Sequence, residues 1–353
     1  MVFKSINRHQ FNASKVAFKS ALVPDAGISL NNCILEINID GKKVQSIKSP
    51  KSADIYNIKT SGFGYGLHKA EVKLINNGNT IAKIDSEFVL NPEAKIHSRA
   101  DGTLMIDGKP EFPFGWYHVS WGKTVQDRLD FIKSIGEAGF NVAHMSCDKA
   151  EDWKTILDES AKVGVRVITE YGGDYPALIN TYKDHPAVMA WNPGDEPDGQ
   201  GISPEEMLRR ANRFRDIDPN HPAYMVLCVP PTYARYAASA DIIAPDIYPI
   251  PHGKVADVYN FLLSARKEAS KNNRPIWSVV QCFGYADKNS WRVPTVDECR
   301  NMTYQSLLAG AKGIIYYTYY DAGFDVRKFP ELWAGMKSLV PEVKAMKPYL
   351  VSG

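Results

Sequence analysis

The chain has 353 residues, a formal net charge of +2 and an apolar fraction of 44%. That length exceeds a usual single domain and supplies ample chain for a buried core, so one large domain, or one large and one small, is expected. With no run of like charges and no stretch near the ~20 apolar residues of a membrane span, neither a nucleic-acid partner nor a membrane is expected. The opening MVFKSINRHQFNASKV has no apolar leader core. It reads as cytoplasmic as it stands, or as periplasmic or secreted after removal of a leader.

Residues 1–95 read as strands joined by tight turns. Leu35, Ile37 and Ile39 alternate with Glu36 and Asn38 ahead of Asp40-Gly41. Ala70, Val72 and Leu74 repeat the pattern before Asn77-Gly78, and Ala82, Ile84, Phe88 and Leu90 resume it afterwards. A period of two puts one face on a core and the other in water, as in a β-sandwich. Asn-Gly and Asp-Gly are hairpin turns. No constellation in this segment carries chemistry, so a structural or carbohydrate-contacting accessory role is expected.

Residues 96–353 change character. After a short hairpin through Asp107-Gly108, apolar strands alternate with amphipathic helices. The strands expected are 112–117, 140–145, 165–170, 187–191, 223–228, 241–245, 275–281 and 313–320. Helices are expected over 124–139, 149–164 and 203–218, two of them opening on a Thr or Ser cap. Eight such units over roughly 250 residues are the repeat of a (β/α)8 TIM barrel. A doubly wound sheet is the competing α/β fold, but the first strand is followed by no G-x-G-x-x-G and the chain has no Walker sequence.

In such a barrel the site lies at the C-terminal ends of the strands. Those ends supply Tyr117, His118, His144, Glu170, Tyr171, Asn192, Asp195, Glu196, Cys228, Asp246, Tyr248, Gln281, Phe283 and Tyr320. Carboxylates, amides and aromatics around one mouth suit a sugar, whose hydroxyls need polar partners and whose apolar faces stack on rings. Trp121 and Tyr175, lying beyond strand ends, and Trp291 are the further candidates for a sugar platform. His118 and His144 are candidates for holding a hydroxyl or a carboxylate, against the reading of histidines satisfied within the rim. His118, His144 and Asp246 could converge on a metal, but no H-x-H or H-E-x-x-H spacing supports one, so neither metal nor cofactor is expected. The five cysteines form no C-x-x-C pair and read as small buried hydrophobes.

WNPGDEPDG, residues 191–199, resembles the acid/base segment of the clan A glycoside hydrolases. The resemblance implies a glycosidase acting on an oligo- or polysaccharide, with Glu196 at the general acid's place and Asp195 where the clan usually has Asn. Segment 66–90 is similar to the last hairpin of the immunoglobulin-like modules that precede many bacterial glycosidase barrels. PIWSVVQCFG, residues 275–284, resembles the clan's seventh strand, with Gln281 where the nucleophilic Glu would stand. WRVPTVDECR, residues 291–300, is similar to a stretch that follows such a Gln in a less well assigned bacterial branch. An amide cannot form the glycosyl-enzyme intermediate. Four readings therefore stay open. Asp195, Asp246 or Glu170 activates a water with inversion; Asp195 and Glu196 resemble the Asp-Glu pair of family 20 hexosaminidases and assist a 2-acetamido nucleophile; the barrel binds sugar without cleaving it; or Gln281 is an engineered replacement of a retaining enzyme's Glu.

Overall fold

The computed structural model describes residues 1–5, 8–11, 13–285 and 291–352. The chain divides into two compact units, Met1–Ala94 and Lys95–Gly353.

The first unit holds strands β1 (Val2–Ser5), β2 (His9–Phe11), β3 (Lys15–Ala21), β4 (Cys33–Ile39), β5 (Lys42–Lys48), β6 (Ala53–Lys59), β7 (Gly66–Asn76) and β8 (Asn79–Asn91). They form a three-stranded sheet, β1-β3-β6, and a five-stranded sheet, β2-β8-β7-β4-β5. The period of two does its work here. Phe3, Val16, Phe18 and Ile58 of one sheet share a buried cluster with Leu35, Ile37, Val72 and Phe88 of the other. The ring of Phe18 meets that of Phe88 edge-on at 5.5 Å across the two layers. Asp40 and Gly41 take φ of 49° and 79°, and Asn77 and Gly78 take 48° and 81°. Paired positive φ values match a primed two-residue turn, whose twist suits the strands it joins.

The second unit opens with a small antiparallel sheet of β9 (Ile96–Ser98), β10 (Leu104–Ile106) and β11 (Lys109–Glu111). Eight parallel strands follow: β12 (Phe114–His118), β13 (Val142–Cys147), β14 (Arg166–Tyr171), β15 (Val188–Trp191), β16 (Tyr224–Leu227), β17 (Ile242–Ile247), β18 (Ser278–Gln281) and β19 (Ile314–Tyr320). Their order, β15-β14-β13-β12-β19-β18-β17-β16, leaves β15 and β16 at the two ends. A parallel bridge between Trp191 and Ala223 brings those ends together, so the sheet is a nearly closed barrel. The helices are α1 (Val125–Ala138), α2 (Asp152–Lys162), α3 (Tyr175–Tyr182), α4 (Pro204–Ile217), α5 (Tyr233–Tyr236), α6 (Asp257–Ser270), α7 (Val296–Leu308) and α8 (Pro330–Leu350). Thr124 and Asp127 close a capping box on α1, and Gly139 ends it at φ 89°.

Alternation within the barrel strands sorts residues to two faces. Val142, Ile168, Ala190, Val226, Ala244, Val279 and Ile315 share one buried cluster, with Tyr117, Tyr224 and Trp277. Trp116, Ala143, Met145, Val167, Ile243, Val280 and Tyr316 share the other, together with side chains of the helices such as Phe131, Trp153 and Met207. The first cluster is the barrel interior and the second is the layer beneath the helices. Among the described residues, no helix is long and apolar enough to cross a membrane.

Candidate active site

Continuing the inward phase past each strand's apolar part leads from Val142 to His144, from Ile168 to Glu170, from Ala190 to Asn192, and from Val226 to Cys228. It likewise leads from Ala244 to Asp246 and Tyr248, from Val279 to Gln281, and from Ile315 to Tyr317. Polar groups thus crown the interior at one end of the barrel. The loop after β15 adds Asp195 and Glu196.

That loop is held firmly. The indole Nε1 of Trp191 donates to Asp218 at 2.7 Å. The backbone N–H of Asn192 donates to the Tyr175 hydroxyl at 3.0 Å, and its carboxamide oxygen accepts from Gly194 N at 3.0 Å. Asn192 Nδ2 donates to His144 Nε2 at 3.3 Å, which fixes the buried imidazole. Gln200 Nε2 donates to the Asp195 carbonyl at 2.7 Å. Asp198 accepts from Cys228 N at 3.1 Å, Val229 N at 2.9 Å and the Thr232 hydroxyl at 2.8 Å, tying this loop to the end of β16. Glu196 sits at φ 42°, a left-handed conformation rare for a side chain of its kind. The turn sends the two adjacent carboxyls to different partners. Asp195 accepts from the Tyr117 hydroxyl at 3.4 Å. Glu196 joins Cys228 and Asp246, one ligating atom of each lying within 4.8 Å of the others.

The electrostatics follow from crowding. Asp246 is 6% exposed, and among the described residues its oxygens have no partner but the facing Glu196 carboxyl. Burial first, and then the facing Glu196 carboxyl, push its pKa well above the ordinary carboxylate range. Burial and the Glu196 charge raise Asp195 to about 7, against the lowering effect of the Tyr117 hydrogen bond. Burial and the Asp195 charge raise Glu170 to about 8. Glu170 also stands 4.0 Å from His144 Nε2, whose own pKa burial lowers to about 3, so that imidazole is neutral. Carboxyls raised toward neutrality in one concave place are suited to proton transfer.

A cleft of about 600 Å³ opens beside Glu170 and Asp195, lined among others by Trp121, Tyr171, Tyr175 and Asn192. Trp121 is 40% exposed. Arg209, Arg210 and Arg213 of α4 form its far wall, where Glu206 pairs with the first two.

No family model matches the chain, and no curated protein matches it. Solved structures do. An FMN-binding β-glucuronidase from Faecalibacterium prausnitzii is 15% identical at a TM-score of 0.51, over 88% of this chain and 54% of that one. A β-D-glucuronidase from Dictyoglomus thermophilum is 13% identical at 0.54, over 96% and 68%. A GH99 endo-α-mannosidase from Bacteroides thetaiotaomicron is 14% identical at 0.51, over 67% and 98%. The likeness is one of fold. The chain spans about half the length of the first of these structures.

The remaining expected residues are placed differently. His118 is out of the inward phase: it lies on the helix side, 4.6 Å from the Phe131 ring and 5.2 Å from Tyr320, and burial lowers its pKa to about 3. It therefore joins neither the carboxyls nor a metal set. Gln281 is fully buried and its amide is spoken for, accepting from Ile250 N and donating to Ile250 O, both at 2.8 Å. This pair of hydrogen bonds clamps the segment after β17. Phe283 is buried, stacked on Trp291 at 5.6 Å and edge-on to Tyr248 at 5.0 Å. Tyr320 and Trp291 line a separate cleft with Lys123, whose ammonium lies 4.3 Å above the Tyr320 ring. Tyr175 stacks on Phe214 at 4.7 Å and serves the loop as much as the cleft. Sequence reading missed Tyr224 and Tyr317. Tyr224 meets His144 edge-on at 5.5 Å, and Tyr317 lies 5.4 Å from Tyr117 and 5.7 Å from Tyr248. The phase along β16 and β19 was the available signal, because both tyrosines stand in register with interior apolar residues.

Proposed function

We propose that the chain is a glycoside hydrolase acting on an oligo- or polysaccharide. In this reading Lys95–Gly353 is a TIM-barrel catalytic domain of clan A-like kind, preceded in the sequence by an immunoglobulin-like β-sandwich accessory domain. Glu196 delivers a proton to the leaving glycosidic oxygen. The observation that carries this is the facing pair of Glu196 and Asp246: one carboxyl half-buried at the mouth, the other 6% exposed and with no other partner among the described residues. Glu196, the less buried of the two, is the member that meets a substrate. The named activities of the fold neighbours, glucuronidase and mannosidase, agree in class.

Asp195, raised to about 7 and so ionised in part at neutral pH, supplies the base, or Glu170, raised to about 8, does so at higher pH. One of them takes a proton from water as its oxygen attacks the anomeric carbon and the bond to the leaving oxygen breaks. The product has inverted configuration. The clamped amide of Gln281 supports this route over a glycosyl-enzyme, and it speaks against an engineered Glu, whose carboxylate would face the Ile250 carbonyl. The substrate-assisted route needs Asp195 and Glu196 to act on one sugar, whereas their carboxyls diverge toward Tyr117 and Asp246.

The same Gln281 favours a second reading, a barrel that binds sugar and does not cleave it. A polysaccharide and oligosaccharide screen of wild type, Glu196→Gln and Gln281→Glu decides between them. Reducing ends released by wild type and lost in Glu196→Gln, with an inverted anomer by NMR, support the hydrolase. Calorimetric binding without release supports the sugar-binding barrel, and activity confined to Gln281→Glu revives the retaining enzyme.

A further inference from the structure

The thiol of Cys228 has no part in the hydrolysis described above, yet its place is built with care. Three consecutive barrel strands, β15, β16 and β17, deliver Glu196, Cys228 and Asp246 to one point. Asp198 accepts from the Cys228 backbone N–H at 3.1 Å and from its thiol at 3.6 Å, and it holds the following Val229 and Thr232 as already described. Gly199 reserves the space: a Cβ there would lie 2.7 Å from the Cys228 sulfur. Cys228 is also the one half-buried cysteine, since Cys33, Cys147, Cys282 and Cys299 are buried. Beside it stands the Asp246 carboxyl, 94% removed from solvent, whose oxygens have no partner among the described residues but the facing Glu196 carboxyl. A buried acceptor without a donor costs free energy unless something positive meets it.

We propose that Glu196, Cys228 and Asp246 form a three-ligand site for a thiophilic divalent cation of the zinc class, and that filling it withdraws Glu196 from proton transfer. One sulfur and two carboxylate oxygens leave a fourth, open position, the donor number of a zinc that keeps a water. Bonds of about 2.0–2.3 Å put tetrahedral ligand atoms about 3.3–3.8 Å apart. The present spacing, within 4.8 Å, needs a closing of about 1 Å, within reach of side-chain rotation. Softness selects the ion: a thiolate favours zinc, cadmium or cobalt over magnesium or calcium, which take oxygen ligands throughout. Neither histidine competes, because Asn192 holds His144 Nε2 and His118 lies on the other face of its strand.

The site itself stands apart from the proposed hydrolysis; only its silencing effect rests on that reading. The test is titration of the metal-stripped full chain with Co²⁺ alone, followed by absorbance. One equivalent should bind with a thiolate-to-cobalt charge-transfer band, and Zn²⁺ should displace it. The band should vanish in Cys228→Ser, and affinity should fall about tenfold or more in Asp246→Asn. Circular dichroism and thermal unfolding of both variants without metal show whether they remain folded. Absence of a stoichiometric band in the wild type, or its persistence in folded Cys228→Ser, overturns the site. Sugar cleavage that proceeds undiminished while the band shows the site filled overturns the silencing. A cobalt band without any sugar cleavage by the metal-free chain removes the hydrolase reading and leaves the cation site intact.

Discussion

The two ends of strand β17 carry one aspartate each, and the two have opposite fates. Asp241, just before the strand, is met by Arg215 at 2.8 Å, Arg274 at 2.9 Å and Ala223 N at 2.9 Å. Burial works to raise its pKa, and the two guanidiniums outweigh it, so the group sits below the ordinary carboxylate range. Asp246, at the strand's other end, has no partner among the described residues but a second carboxyl, and sits well above that range. A carboxylate at the opening end of the barrel strands is fully compensated, as a structural charge must be. Its counterpart at the closing end faces another carboxyl with no cation beside it and is held toward its protonated form, as a working group often is.

The contrast is sharpened most by Glu196→Gln. It should lower turnover of a cleaved sugar by about 10²–10⁴-fold with unfolding unchanged; a variant as fast as wild type would remove the acid assignment. Next comes Asp241→Ala, which strands the buried Arg215 and half-buried Arg274 guanidiniums and should cost about 3–5 kcal/mol in denaturant unfolding. Asp246→Asn should show no comparable loss, because it removes a carboxyl that burial disfavours. Equal destabilisation by the two would collapse the distinction between the ends.

The pH dependence carries opposite signs at the two ends. Asp241 has a depressed folded pKa, so its contribution to stability is present above the unfolded value of about 3.9 and is lost as pH falls through the folded value. Asp195 and Glu170 have raised folded values, about 7 and about 8. The native state then holds more protons than the unfolded chain between about pH 4 and pH 8, and stability falls as pH rises through that window. Unfolding followed from pH 5 to pH 9 should show this fall, and Asp195→Asn with Glu170→Gln should flatten it. A stability curve of unchanged slope in the double variant would contradict the raised values.

Much of this was legible in the sequence, for reasons that differ by residue. The eight apolar runs and the Asp-Gly and Asn-Gly turns announce strands and hairpins through local chemistry, so the barrel and the β-sheets could be read without tertiary knowledge. Glu170, Asn192, Asp195, Glu196, Asp246 and Tyr248 were legible from position alone, as residues at strand ends. What position does not give is partnership. Nothing local says that Ile250 will occupy the Gln281 amide, that Asp198 will hold Cys228, or that φ at Glu196 will turn it from its neighbour. Those facts belong to contacts between strand-end loops far apart in the chain.

Gln281→Glu is the smaller test of that limit. It should destabilise the fold by about 1–3 kcal/mol, since the new carboxylate faces the Ile250 carbonyl in a buried place, and it should not raise sugar cleavage. A gain of activity would show that strand seven still holds a nucleophile's position.

His118→Phe should have the smallest effect of all, and its reason is phase. On β12, Tyr117 points into the barrel and accordingly meets Asp195, whereas His118 points to the helix layer among Phe131 and Tyr320. Its Nδ1 is buried without a partner, so a phenyl ring removes a polar atom that gains nothing there. Thermal stability should hold or rise, and turnover should not change. His144→Phe, one strand along and inward-facing, removes the group that Asn192 and Glu170 share, and it should slow the proposed sugar cleavage. Comparable losses in the two variants would mean that alternation along these strands does not separate site from scaffold. A loss confined to His144 would make strand phase the rule by which the working residues of this barrel are told from their neighbours.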